Sequence, residues 1–129
     1  MIKMERIVLS SRLQAIVDYI APYRRIADIG TDHCYVPIYL AQNGFIDFAV
    51  ATDLRDGPVQ EARKNVARFG VHHCVHVRKG DGLTPLRESD GIEVVIIAGM
   101  GGRLIQKLLE QDAKRLTTVK RYILQPNKS

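Results

Sequence analysis

No stretch of this chain stays apolar for long. The longest purely hydrophobic run, Val94 to Ala98, has five residues, whereas a membrane-spanning helix needs about 18 or more, and the N-terminus carries no apolar segment of signal-peptide length. A cytoplasmic protein with no membrane partner is the expectation. Cysteine is scarce as well: Cys34 and Cys74 cannot supply a disulfide framework in a chain of this size, so buried, reduced thiols are expected. Also missing are a low-complexity linker, a sequence repeat and enough length for two full domains. What remains is one domain spanning residues 1–129, with 46% hydrophobic and 26% charged residues, too apolar for a disordered chain. Nineteen Lys and Arg against fourteen Asp and Glu give a net charge of +5, which leaves room for an anionic partner without specifying one. The basic residues fall in dispersed pairs (Arg24-Arg25, Arg63-Lys64, Arg78-Lys79, Lys114-Arg115 and Lys120-Arg121), the pattern of ordinary solvated surface unless the fold gathers them on one face.

Leu9, Leu13, Ile16, Val17 and Ile20 recur at helical spacing, with Ser10 or Ser11 as N-cap and Pro22 closing the segment. Arg25 to Gly30 then reads as a strand, and Val36 to Asn43 as a helix stopped by Gly44. Ile46 to Asp53 is a second strand, followed by a helix from Gly57-Pro58 through Phe69. Cys74 to Arg78, Ile92 to Ala98 and Val119 to Leu124 are further strands, with a helix over Gly102 to Gln111. Near-continuous apolar strands alternating with helices predict an α/β fold with a Rossmann-like parallel sheet, covered on both faces. The sequence stops soon after the fifth strand, so a sheet cut short at that point is expected.

Ligands of open parallel sheets bind beyond the carboxyl ends of the strands. Those ends read Asp28-Ile29-Gly30-Thr31-Asp32-His33, Thr52-Asp53-Leu54, Gly80-Asp81-Gly82-Leu83, Ala98-Gly99-Met100-Gly101-Gly102 and Gln125-Pro126-Asn127. Gly30 allows a sharp turn and close backbone approach. Asp53, about 20 positions on, is placed to accept from both hydroxyls of a ribose. Asp32, however, stands where a phosphate-binding loop would put its second glycine, and it would repel a pyrophosphate. That disfavours a dinucleotide and favours S-adenosylmethionine, which has no phosphate and carries a sulfonium and an ammonium. Asp28 and Asp32 suit those charges, and Asp81 can accept from an adenine amine while Gly82 leaves room for the ring.

Several runs carry a resemblance. Asp28-Ile29-Gly30-Thr31-Asp32-His33 with Tyr35-Val36-Pro37, Asp53 followed by Gly57-Pro58, Gly80-Asp81-Gly82-Leu83, Ala98-Gly99-Met100-Gly101-Gly102 and Leu124-Gln125-Pro126-Asn127 resemble the bacterial tRNA (adenine-22-N1)-methyltransferase family, as does the opening Leu9-Ser10-Ser11-Arg12-Leu13. The resemblance implies a class I S-adenosylmethionine fold that in the family continues into further strands and a helical arm. It also implies a tRNA substrate methylated at N1 of adenine 22. By the same resemblance Asp28 and Gly30 line the methionine part, Asp53 and its neighbour Leu54 the ribose, and Asp81 with Gly82 the adenine of the cofactor. Gly99 to Gly102 form the floor toward the target base. Because N1 of neutral adenine already has a lone pair, positioning and charge stabilisation must supply the rate. Asp32 is the candidate for stabilising charge on the target ring, Tyr35 for orienting it and Asn127 for bonding a base edge. Two other readings stay open, a nicotinamide-dependent oxidoreductase and a noncatalytic cofactor- or RNA-binding module. The cluster His72, His73, Cys74 and His76 lacks zinc-site spacing, so no metal is expected. Asn127-Lys128-Ser129 matches a glycosylation sequon, a chance match in a cytoplasmic chain.

Overall fold

Ser10 sets where the first helix begins, its hydroxyl accepting the N–H of Leu13 at 3.3 Å in the manner of an N-cap. In the computed structural model, which describes residues 5–127, helix α1 (Ser11–Val17) is followed by α2 (Tyr35–Gln42), α3 (Asp56–Arg68) and α4 (Gly102–Asp112). The strands are β1 (Arg25–Ile29), β2 (Phe48–Asp53), β3 (Val75–Lys79), β4 (Val94–Gly101) and β5 (Arg121–Asn127). The first helix is shorter than its apolar spacing predicts. Beyond Val17 the chain tightens into turns in which Tyr19 and Ile20 donate to the carbonyls of Ile16 and Val17, three residues back. Ile20 is therefore still carried inward, 2% exposed, without an α-helical backbone.

The strands form one parallel sheet in the order β3-β2-β1-β4-β5, the Rossmann-like α/β arrangement expected from the sequence. Strand alternation divides the core in two. Ile26, Ala49, Ala51, Val94 and Ile96 face α1, α2 and α3, whereas Ala27, Ile29, Val50, Val95 and Ile97 face α4 and the Leu83–Leu86 turn. The central strands β2, β1 and β4 are largely apolar on both faces because each face is covered, whereas the edge strands β3 and β5 carry exposed polar positions. Since the chain runs outward to one side from β1 to β3 and to the other from β4 to β5, the order reverses between β1 and β4. At such a switch point the connections leave in opposite directions and a crevice opens beyond the strand ends.

The basic pairs are largely occupied within the fold. Arg24 pairs with Asp47 at 2.9 Å, and Arg25 donates to the Asp90 carbonyl and lies over the Phe48 ring. Arg78 grips the buried Asp90 with both nitrogens, at 2.7 and 2.9 Å, and Lys79 reaches Asp56 at 2.8 Å. Arg115 donates to the carbonyls of Leu83 and Leu86, and Arg121 to those of Tyr19 and Ala21. No helix among the described residues is long and apolar enough to cross a membrane.

Candidate functional site

A cleft of about 430 Å³ occupies the switch point, within the roughly 300–1,000 Å³ of small-molecule sites. Asp28, Gly30, Asp32, Tyr35, Asp53, Leu54, Asp81, Gly82 and Gly99, drawn from four strand ends and the loops after them, all line it. Alternation explains the two deepest carboxylates: Asp28 continues the series of Ile26 on β1, and Asp53 that of Ala49 and Ala51 on β2, so both emerge on the same face. They are 6% and 5% exposed. Asp32 and Asp81 lie at the solvent side. The four aspartates that look equivalent in the sequence thus divide into a buried pair and an exposed pair.

Burial pushes the Asp28 carboxyl up to about 7; the hydrogen bond from Thr31 Oγ1, at 2.8 Å, opposes this and the charge of Asp53 adds to it. Asp53 accepts the Arg55 backbone N–H at 3.1 Å and has the Arg55 Nε at 3.5 Å. Cys34 is an inert thiol, since burial, reinforced by the Asp28 charge, raises it to about 12. Both cysteines are free and buried, as expected.

The loop between β1 and α2 holds three residues at positive φ, Gly30 (68°), Asp32 (56°) and Cys34 (67°). Such a backbone persists only when its surroundings over-determine it, and here they do. The Thr31 N–H donates to the Thr52 carbonyl at 2.8 Å, the Cys34 N–H to the Thr31 carbonyl at 3.0 Å, and Asn65 of α3 donates Nδ2 to the His33 carbonyl at 2.8 Å. The positive φ is what favours glycine at Gly30; a Cβ there would also sit 2.6 Å from the Met100 methyl, the mobile end of that side chain. The His33 ring stacks on Tyr35, centroids 5.1 Å apart, which orients the Tyr35 ring at the cleft edge.

Gly82 has φ +57°, and a Cβ on it would meet Leu108 Cδ2 at 2.4 Å, so the wall beside Asp81 is backbone packed directly on α4. Gly82→Ala is expected to cost about 2 kcal/mol, from the left-handed backbone and the displaced leucine together. Urea denaturation measures it, and a loss below about 0.5 kcal/mol would show that the loop relaxes freely.

Asn127 stands apart. It does not line the cleft; its Nδ2 donates to the Gly99 carbonyl at 2.8 Å, where the β4–β5 register shifts between Ala98 and Gly101. The glycine run that closes β4 is consequently a bulged strand end that leads straight into α4, with Asn127 as its tie. Lys128 and Ser129 of the sequon lie outside the described residues. The histidine cluster disperses: Cys74 points inward, its Sγ 3.9 Å from the Ile46 carbonyl, and His76 packs on Phe48. Among the described residues no three His, Cys, Asp or Glu side chains are grouped to hold a metal.

Met100 and Thr52 also line the cleft from the strand-end runs, whereas Arg12, Leu13, Ile16, Leu104 and Leu108 lie outside those runs. Arg12, Leu13 and Ile16 of α1 close one side, and Met100, Leu104 and Leu108 another. Thr52 is 1% exposed at the cleft, and its hydroxyl has no partner. The run from Leu9 to Leu13 was a visible signal for α1, but nothing local indicated that this helix folds over the sheet end. Chemically, the cleft offers carboxylates and exposed backbone to a ligand with positive charge, hydroxyls and an apolar body. It offers a phosphate little.

A family model described as a methyltransferase domain matches residues 9–129. The chain is 40% identical over 124 residues to the tRNA (adenine(22)-N(1))-methyltransferase of Bacillus subtilis (strain 168), covering 96% of this chain and 52% of that protein. The crystal structure of the B. subtilis M1A22 tRNA methyltransferase TrmK superposes with a TM-score of 0.86 at 40% identity, over 92% of this chain and 50% of that one. M. capricolum TrmK, in complex with S-adenosyl-homocysteine, superposes with a TM-score of 0.82 at 37% identity, over 94% and 53%. The chain thus spans about half the length of each of these relatives.

Proposed function

Because this chain belongs to the methyltransferase-domain family, we propose that its cleft binds S-adenosylmethionine and that the protein acts in methyl transfer to N1 of adenine 22 of a cytoplasmic tRNA. The observation that carries the reading is the ordered set of carboxylates, Asp28, Asp53 and Asp81 on β1, β2 and beyond β3, around a cleft without a phosphate-binding glycine loop. The similarity to tRNA (adenine(22)-N(1))-methyltransferase adds the substrate.

The donor set fits the cofactor. Asp28 would hold the ammonium, Asp53 the two ribose hydroxyls, and Asp81 the adenine amine, with the ring against Gly82 and the apolar side of Leu108. The backbone at Gly30 would approach the methionine part, and Leu54 would cover the ribose. When bound, the cofactor supplies an electrophilic methyl on a sulfonium. The protein's own residues then position the acceptor. Asp32, exposed at the mouth, would face positive charge that accumulates on the target ring, and Tyr35, braced by His33, would orient that ring. Asn127 would fix the Gly99 carbonyl beside the incoming base. No general base is needed, since N1 carries no proton. N1 lies on the pairing edge, so the adenine must be unpaired and turned out to reach it.

An oxidoreductase reading suits the cleft poorly, because Asp32 stands in the path of a pyrophosphate. The test is calorimetric titration with S-adenosylhomocysteine and with NAD, followed by single-turnover methyl transfer to unmodified tRNA with detection of 1-methyladenosine at position 22. Binding of S-adenosylhomocysteine and not NAD is expected, with product at that position. Binding of NAD alone would overturn the reading. Cofactor binding without transfer would leave a noncatalytic module.

A further inference from the structure

An acidic cleft cannot by itself hold RNA. Four aspartates line it, and its two arginines are engaged: Arg55 Nε lies 3.5 Å from Asp53 Oδ1, and Arg12 Nη1 donates to Gln125 Oε1 at 2.8 Å. A base can enter such a cleft, because its edge is neutral, but the phosphates on either side of that base are repelled by Asp32 and Asp81 at the mouth. They need cations that stand outside the cleft and at the same end of the sheet.

Helix α4 follows β4 and runs back along the sheet, so its first turns lie at the carboxyl ends of the strands. Its Ile105 and Leu108 are buried, and Leu104 and Leu108 line the cleft. Arg103 and Lys107, one helical turn apart, therefore share a ridge on the outer side, and both are exposed. No ion pair among the described residues includes either. The nearest acidic residue of the helix, Glu110, accepts from Gln106. Between the two cations Leu104 is 45% exposed at the cleft rim, an apolar surface that suits a base. Basic residues elsewhere are placed differently. Arg63 and Lys64 lie about two turns into α3. Lys114 and Lys120 belong to the connection into β5 at the opposite end of the sheet, where the Lys120 N–H donates to the Glu93 carbonyl just ahead of β4. We propose that Arg103 and Lys107 bind backbone phosphates beside the target adenine, which makes the first two turns of α4 the RNA-facing rim of the cleft. This rests on the tRNA reading and names the surface that grips that substrate. The two residues stand about 6 Å apart along the helix axis, a step that successive phosphates of one strand can match, and the glycine run that closes β4 leads from the cleft directly to them.

The test measures binding of unmodified tRNA by filter retention across a range of salt concentrations. It compares the unsubstituted chain with the double variant Arg103→Gln, Lys107→Gln and, as a control for the loss of two charges, with Lys114→Gln, Lys120→Gln. Calorimetry with S-adenosylhomocysteine and a thermal melt accompany each protein. The α4 double variant is expected to weaken tRNA about fivefold or more at low salt and to make the fall of log affinity with log salt shallower by about 1 to 2. The control pair is expected to change tRNA affinity less than about twofold, and neither pair to change S-adenosylhomocysteine affinity by more than about twofold. Equal losses of tRNA from both pairs would show only a general attraction to a basic protein and would overturn the proposal. So would a parallel loss of S-adenosylhomocysteine, which would assign Arg103 and Lys107 to the cofactor or the fold. If tRNA binding survives the α4 double variant, this surface is removed while the tRNA reading stands. If the unsubstituted chain binds S-adenosylhomocysteine but no tRNA, the surface and the tRNA reading fail together and the cofactor reading stands.

Discussion

Asp28→Asn is expected to weaken S-adenosylhomocysteine by about 30-fold or more and, at the same time, to stabilise the free protein. The first effect is the loss of a buried charge that faces a ligand ammonium, a class of change that costs about 2–5 kcal/mol. The second follows from the pH linkage. The Asp28 carboxyl titrates near 7 in the fold against 3.8 when unperturbed, so between those values the folded state holds a proton that the unfolded state has released. Stability therefore falls as pH rises from about 4 to 7 and stays reduced above it. The ceiling on this cost is about 4 kcal/mol, at about 1.4 kcal/mol per pH unit across the shift to about 7. An asparagine keeps an acceptor for the Thr31 hydroxyl but brings in an amide N–H that needs a partner. A net gain of about 2 kcal/mol at pH 7.5 is expected, shrinking toward zero at pH 4. Urea unfolding at both pH values measures it. A variant no more stable than its parent at pH 7.5 would contradict the account of burial, and unchanged ligand affinity would remove Asp28 from the site. For the unsubstituted protein, affinity for the cationic ligand should rise between pH 6 and 7.5, as Asp28 ionises.

Asp53→Ala is expected to weaken S-adenosylhomocysteine by about 10- to 150-fold, or about 1.5–3 kcal/mol, the loss of charge-assisted bonds to two hydroxyls. It should weaken 5′-methylthioadenosine, which has the adenosine and thioether but no amino acid, to the same degree, because both ligands carry the ribose. The fold should survive. Arg55, exposed and 3.5 Å away, returns to solvent, and removal of the neighbouring charge eases the ionisation of Asp28. Calorimetry with both ligands, beside a thermal melt, separates the outcomes. If only S-adenosylhomocysteine weakens, Asp53 contacts the amino-acid end and the placement of the ribose over β2 is wrong.

The sheet and the positions of its acidic ends were legible because parallel strands buried on both faces are written as apolar runs, and the residue closing each run has to lie at the crevice. The difference between Asp28 and Asp32 was not legible. It depends on strand alternation meeting the cover of α2 and α3, which makes one a buried carboxyl near neutrality and the other a solvated charge. Asn127 shows the same limit. Its type and its place at a strand end suggested a contact with the substrate, but its amide is engaged with Gly99 across a register shift that only the paired strands define. Thr31 and Thr52 stood in the strand-end runs without a role of their own, and Asn65 went unnoticed because its work is non-local: it reaches back 32 residues to the His33 carbonyl. The short α1 differed from its periodicity for a local reason, since three-residue turns can bury Ile20 as well as a helix can.

The bond between Arg12 and Gln125 joins residues 113 positions apart, and Arg121 reaches Tyr19 and Ala21 over a comparable span. As the chain leaves the ribosome, β1, β2 and β3 emerge with Asp28, Asp53 and Asp81 long before the strand that anchors α1. The side wall of the cleft therefore depends on the last strand as well as on the core that Ile16 and Val17 of α1 share with α2, and pairing over so long a span is slow to form.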